Sequence, residues 1–440
     1  MEARYARRKS QLLQECQVAP EIFEQVLPRL HTFLKPFVAS WRGQALPQHA
    51  ETYVSGLLSD VERKNVEPIA YHFGQDRLGL QGFIGWTNWD DAPLRQELLG
   101  QVGKHLGQAD GVLVFDPSAF PKSGRESVGV ARQWCGRLGK VDNCQVALYL
   151  GYVSRKGHTL VDQRLYLPKA WTQEKARLRK AAVPKEQQGY RTRHQLALEM
   201  LAKNGASLPH RWIAGDDEMG RPAWFRRRLA ALGERYMLAV PSNTMMRDLE
   251  TPVPDYSGQG RPPKRPWQGV AKWADVLADD AWRRIDVRDG SKGPLVVDAV
   301  KRRVVSRTHR RQQGDEEMLV VIRYRDRDNQ QVVKVDFYLS NAAPETPLGE
   351  FARVAKAEHR IEECLQRSKS EAGLADYEVR NWTGWQHHQT LSLLATWFLE
   401  RETHRGKKMD ARTHAAADSP RHRDDLTRSV SVRHDVAYVG

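Results

Sequence analysis

The run Val112 to Phe115 is apolar without interruption and ends in a single carboxylate, Asp116. A short continuous apolar run suits a strand buried on both faces, which requires a layered core rather than a half-exposed sheet. Pro117, Pro121 and Gly124 follow, so the sequence predicts that the strand stops at Asp116 and that a loop runs on to Gly139. Trp212 to Gly215 repeats the device and delivers Asp216. An aspartate at the tip of a buried strand is held rigidly, as a metal ligand or catalytic acid must be. A solvated strand end is the plain alternative.

The surrounding pattern is mixed. Residues 144–153 and 159–168 alternate as a hairpin, 194–203 and 222–232 carry helical spacing, and 236–240 is one more strand. This order predicts an α/β fold with a mixed-sheet core. Upstream, residues 1–104 read as a helical N-terminal domain and a candidate DNA-binding element. In it, Pro28 and Pro36 are expected to break the first helix. Five prolines between Pro252 and Pro266 mark a linker. Strand-like segments at 281–287, 294–305, 318–324 and 332–339 then form a β-rich insertion over 251–345. The core is thereby split into 105–250 and 346–402, the second part built from helices at 348–372 and 382–399. Residues 403–440 read as a disordered basic tail.

Charge narrows the function. With 69 Lys and Arg against 54 Asp and Glu, the net charge is +15, which favours polyanionic partners, chiefly nucleic acid. No apolar run is long enough to span a bilayer and no signal-like segment follows Met1, so a cytoplasmic protein is expected. The four cysteines, Cys16, Cys135, Cys144 and Cys364, lack metal-site spacing and read as free thiols. The neighbouring His387 and His388 point apart on a helix and suit packing better than metal binding.

The helix around Arg360 to Lys369 supplies a third acid. Ile361, Cys364, Leu365 and Ser368 form its buried stripe. Glu362 and Lys369, seven residues apart, are nearly superimposed on an adjacent face, where they could lie over the strand ends that carry Asp116 and Asp216. An ordinary solvated helix face is the alternative. The segments Asp116 to Gly124, Ser127 to Gln133, Gly139 to Val146, Ile213 to Asp216, Arg360 to Cys364, Lys369 to Arg380 and Trp382 to Trp385 are long and ordered. Together they resemble the conserved blocks of the DDE transposases of bacterial insertion sequences, within the DDE superfamily endonucleases.

The resemblance implies a ribonuclease-H-like core whose β-rich insertion lies between the second and third acids. It makes Asp116, Asp216 and Glu362 the catalytic, metal-holding triad, with Asp217 and Glu363 as rivals. It also implies Mg²⁺ as cofactor with Mn²⁺ as substitute, and as partners the terminal inverted repeats and target DNA, bound by at least a homodimer. Related cut-and-paste enzymes often carry Tyr-x-x-Arg-x-x-x-Glu-x-x-x-x-x-x-Lys. Here Lys369 fits, but Ala355 and Glu358 occupy the Tyr and Arg positions, leaving Arg353 or Arg360 to grip the terminal phosphate. Lys122, Arg125, Lys140, Arg380 and Trp385 are further candidates for DNA contact. The insertion implies a hairpin route with a flipped base stacked on an aromatic residue. Trp267, Trp273, Trp282 and Tyr338 are candidates for that role, each equally readable as packing. Two rival functions stand beside the transposase: a DNA-binding protein of transposase descent without cleavage, and a ribonuclease-H-like nuclease that never joins strands.

Overall fold

In a computed structural model, residues 25–256, 258–261, 263–288, 295–307, 313–326 and 329–417 are described, with side chains to residue 406. Val112, Leu113, Val114 and Phe115 are wholly buried, as their uninterrupted apolar run requires, and start strand β1 (Val112–Pro121). After β2 (Ala131–Cys135), strands β3 (Lys140–Val153) and β4 (His158–Leu165) form the expected hairpin. β3 pairs with β1 on one edge, and with both β2 and β4 on the other. A capping box at Thr192 and Gln195 opens helix α6 (Arg193–Asn204); helices α1–α5 precede β1 and are given below. Strand β5 (Trp212–Gly215), helix α7 (Ala223–Ala231) and strand β6 (Tyr236–Ala239) follow. β5 is parallel to both β1 and β6. The order β4-β3-β1-β5-β6, with an antiparallel first half and a parallel second half, is the ribonuclease-H-like mixed sheet.

β1 does not stop at Asp116. It pairs with β3 as far as Pro121 opposite Cys144. The reason lies in the edges: β5 ends at Gly215 opposite Phe115, so β1 has one open edge beyond that point. The Lys122 amide donates across to Asn143, which puts even-numbered amides toward β3 and the nitrogens of Pro117 and Pro121 toward the open edge. A missing N–H is harmless there.

The β-rich insertion extends the same sheet. Strand β7 (Met245–Asp248), just before the insertion, and β8 (Gln268–Gly269), β9 (Arg283–Arg288), β10 (Leu295–Arg307), β11 (Gln313–Arg325) and β12 (Val332–Ser340) within it join through an antiparallel pairing of β12 with β6, making twelve strands among the described residues. No helix or strand interrupts 249–267 among its described residues, as the prolines predict. The insertion has its own core, which includes Trp273, Trp282, Val304 and Leu319. Of the aromatic candidates for base stacking, Trp273, Trp282 and Tyr338 are buried. Trp267 is half-buried, beneath the guanidinium groups of Arg247 and Arg307 at 4.4 and 5.4 Å.

Helices α1 (Val26–Val38), α2 (Ala45–Leu58), α3 (Val66–His72), α4 (Arg77–Gly85) and α5 (Ala92–Leu106) lie where the sequence predicted helices, and residues 1–24 of that segment lie outside the described residues. Neither Pro28 nor Pro36 breaks α1, because each lies within a terminal turn where few backbone bonds are at stake. After the insertion come α8 (Leu348–Glu371) and α9 (Trp382–Ala417). α9 continues past residue 403, where the sequence predicted a disordered tail; the rest of that tail, 418–440, lies outside the described residues.

Residues 34–397 form one compact unit, and the described residues to Phe33 and from Phe398 form a second. In the second, Arg29 pairs with Glu402 at 2.6 Å and Phe33 lies 5.2 Å from Phe398. In the first, α2, α4 and α5 contact α9. His387 stacks on Trp89 and meets the carbonyls of Ile84 and Trp89 at 3.0 Å, while His388 meets the Tyr53 hydroxyl at 2.9 Å. Both histidines are buried packing residues, and burial holds His388 down at about 3. No described helix is long and apolar enough to cross a membrane.

Candidate active site

The parallel register of β1 and β5 sets Phe115 beside Gly215, so Asp116 and Asp216 are the next residues on adjacent strands. Parallel neighbours are about 4.8 Å apart, which brings the two acids side by side at the carboxyl end of the sheet. Asp216 caps the turn Asp217–Gly220 and accepts the Met219 amide at 3.0 Å. Burial nevertheless pushes its carboxyl up to about 7. Asp116 is raised well above the carboxylate range, by burial first and then by the charges of Asp216 and Glu362; Lys369 opposes the shift. Asp217 is exposed and tied to Arg221 at 2.9 Å.

α8 crosses these strand ends. Its expected stripe of Ile361, Cys364, Leu365 and Ser368 is buried, and Ile361 packs where a Cβ on Gly151 of β3 would collide with it. That close approach places the Glu362 side of the helix near the two aspartates. The Glu362 carboxylate is 56 % exposed and lies 3.3 Å from His359, a contact that lowers its pKa; Glu363 contacts the same ring at 3.2 Å. Exposure does not separate the two glutamates. The charge of Glu362, however, acts on Asp116 and on Glu358. Lys369 is half-buried over the Phe120 ring at 5.4 Å, its ammonium lowered by burial and partly restored by Asp116.

A cleft of about 1050 Å³ opens beside this cluster. Asp216, Lys369, Arg137, Arg193 and Arg221 line it, with Pro117 at the Asp116 end; Glu362 is not among its lining residues. Sequence reasoning missed the three arginines. Only the capping box that opens α6 at Arg193 marked any of them as fixed in place.

The other candidate DNA contacts are scattered. Lys122 donates to the Tyr377 carbonyl at 2.9 Å and sits 3.5 Å over its ring, with burial lowering its ammonium to about 8. Arg125 and Arg380 are exposed. Lys140 pairs with Asp142 at 3.0 Å, and Arg360 reaches the Ser154 carbonyl at 3.3 Å. Arg353 is partly buried, near Asp110 and Glu350. Trp385 is wholly buried and presents no surface for DNA.

Glu358 was noted in the sequence only as a departure from a signature. It lies one helical turn before Glu362, with its carboxyl raised well above the usual range by burial and then by Asp216, Glu362, Asp116 and Asp336. Its Oε2 is buried with no hydrogen-bond partner. An all-oxygen, mutually repelling donor set of this kind fits a hard divalent cation. The side chains are not gathered for one, since among the described residues no three His, Cys, Asp or Glu form a metal-holding group.

Comparison with known proteins bears on the blocks around Asp116 and Asp216. One relative is a probable transposase for the insertion sequence element IS701 from Microchaete diplosiphon, 35% identical over 94 residues. That match covers 21% of this chain and 25% of the relative's length. Among solved structures, the NurA nuclease from Sulfolobus solfataricus aligns over 59% of this chain and 78% of its own at 10% identity; the TM-score is 0.25, too loose a likeness to argue from. The model of the DDE superfamily endonucleases matches residues 40–294. Since that span is more than half of the sequence and includes both strand-borne aspartates, the chain belongs to the DDE superfamily endonucleases.

Proposed function

We propose that this protein is a DNA transposase that cuts phosphodiester bonds at the ends of its insertion sequence and joins the freed 3′-hydroxyls to target DNA. The observation that carries the reading is the pairing of Asp116 and Asp216 at adjacent parallel strand tips, under the helix that bears Glu362 and Lys369. Asp116, Asp216 and Glu362 would hold Mg²⁺, or Mn²⁺ in its place. A bound divalent cation supplies positive charge for the leaving oxygen and a more acidic water or hydroxyl as nucleophile. Lys369, beside Asp116 and on the cleft wall, offers its ammonium to a phosphate at the reacting end. Arg137, Arg193 and Arg221 would hold the backbone in register without reading sequence. Paired cutting of two ends calls for at least a dimer on DNA.

The exposure of Glu362 and its contact with His359 favour a second reading, a DNA-binding protein that no longer cuts. The test uses purified full-length protein and a labelled duplex from the DNA flanking its own gene, with Mg²⁺ or Mn²⁺. End cleavage and strand-transfer products are expected from wild type and from Glu363→Gln, and neither from Glu362→Gln. Binding without cleavage would install the second reading, and cleavage without joining would make the protein a nuclease only.

A further inference from the structure

Glu358 is a partly buried acid whose Oε2 is fully enclosed, and no structural role explains it. A buried carboxylate in a finished core is paired or fully hydrogen-bonded, because desolvating an unmatched charge is expensive. The Oε2 of Glu358 is buried and unmatched. The charges that act on it are those of acids: Asp216 at the end of β5, Glu362 on its own helix, Asp116 on β1 and Asp336 on β12. Tyr338 and Tyr324 adjoin the same space, and Lys334, the cation whose charge it senses, is already paired with Asp336 at 2.9 Å. Glu362 meanwhile stands more than half exposed beside His359. The inward acid of α8 is thus Glu358.

We propose that Glu358 is a further ligand of the catalytic cation site, its carboxylate closing with those of Asp116 and Asp216 on a divalent cation that these side chains do not yet surround. The inference rests on the transposase reading of that site and adds to it a residue from outside the expected triad. Residues four apart share a helix face, so Glu358 lies on the side of α8 that also carries Glu362, but it is Glu358 whose carboxylate oxygen is enclosed and Glu362 whose side chain is 56 % exposed beside His359. The hard oxygen donors select Mg²⁺ or Mn²⁺ over softer metals.

Mn²⁺ binding to the full-length protein, measured by titration calorimetry and by the rise in Tm, tests this without any turnover. Wild type and Glu363→Gln should bind alike, whereas Glu358→Gln should bind roughly tenfold or more weakly. Glu358→Asp, which keeps the charge on a shorter arm, should recover part of the loss. Glu358→Gln should also melt at or above the wild-type temperature in chelator, which shows that it folds. If Glu358→Gln binds Mn²⁺ as wild type does while Asp116→Asn and Asp216→Asn do not, Glu358 is no ligand and the triad stands alone. If the wild type shows no Mn²⁺ response, or the two aspartate variants bind normally, the cation site itself is wrong and this inference falls with it.

Discussion

Two sets of charges are buried in the larger unit, and they are built in opposite ways. Arg226 and Glu317 are 4% and 5% exposed and face each other in a fork, with contacts of 2.7 and 3.1 Å. Ser306 donates to Glu317 at 3.0 Å and accepts from Arg226 at 2.8 Å, Tyr236 donates to Glu317 at 2.7 Å, and the Gly220 carbonyl takes another guanidinium proton. This network ties α7 and β6 of the core to β10 and β11 of the insertion. The partly buried acids at the strand tips, and Glu358 on α8, have no such complement. Asp116, Asp216 and Glu358 are raised toward the protonated form by burial, and one oxygen has no partner. Paired charges hold elements together, whereas unpaired ones store an affinity for something brought from outside.

Breaking the paired set should do the most damage to the fold. Arg226→Ala strands the Glu317 carboxylate in the interior and is expected to cost about 3–5 kcal/mol of stability in denaturant titrations. Replacing Arg226 and Glu317 together by Met and Leu should restore most of it. An equally unstable double variant would show that the network is needed as such.

The unpaired set should respond in the other direction. The folded-state pKa of Asp216, about 7, lies above its unfolded value near 3.8, so wild-type stability falls as pH rises through that window. Asp216→Asn removes the penalty while its side-chain oxygen can still accept the Met219 amide. In metal-free protein it should be more stable at pH 8, by on the order of 1–3 kcal/mol, with the gain vanishing near pH 4. A loss of stability at pH 8 would mean that the acid is paired after all.

The smallest effect lies outside both sets. Lys140 is 65 % exposed and its ion pair with Asp142 is a surface one, so Lys140→Ala should leave the Tm unchanged. If Lys140 meets a phosphate, the variant's log–log salt dependence of end binding should flatten by about one. An unchanged slope would remove Lys140 from the DNA contacts.

Much of the fold was legible in the sequence. Val112 to Phe115 read as a doubly buried strand because an unbroken apolar run has no solvent face to offer, and Trp212 to Gly215 read as a second short strand ending in an acid. The stripe from Ile361 to Ser368 read as a buried helix face because its period is helical. Other features were hidden. Whether Pro117 and Pro121 end β1 depends on which edge of the strand is open, and that is set by where β5 stops. Lys122 and Trp385 looked like surface contacts, yet Tyr377 takes up the lysine and the packing beneath α9 takes the tryptophan.

The sequence by itself determined the local periods, the residue at each strand tip and the family blocks, since those depend on neighbours along the chain. Only the tertiary structure decided which acids share one desolvated space. Glu358 comes under the charges of Asp116 and Asp216 because α8 packs Ile361 against Gly151 of β3, and the insertion's strands complete the core sheet through β12 and β6. Burial and repulsion are properties of neighbours in space, and no spacing along the chain encodes them.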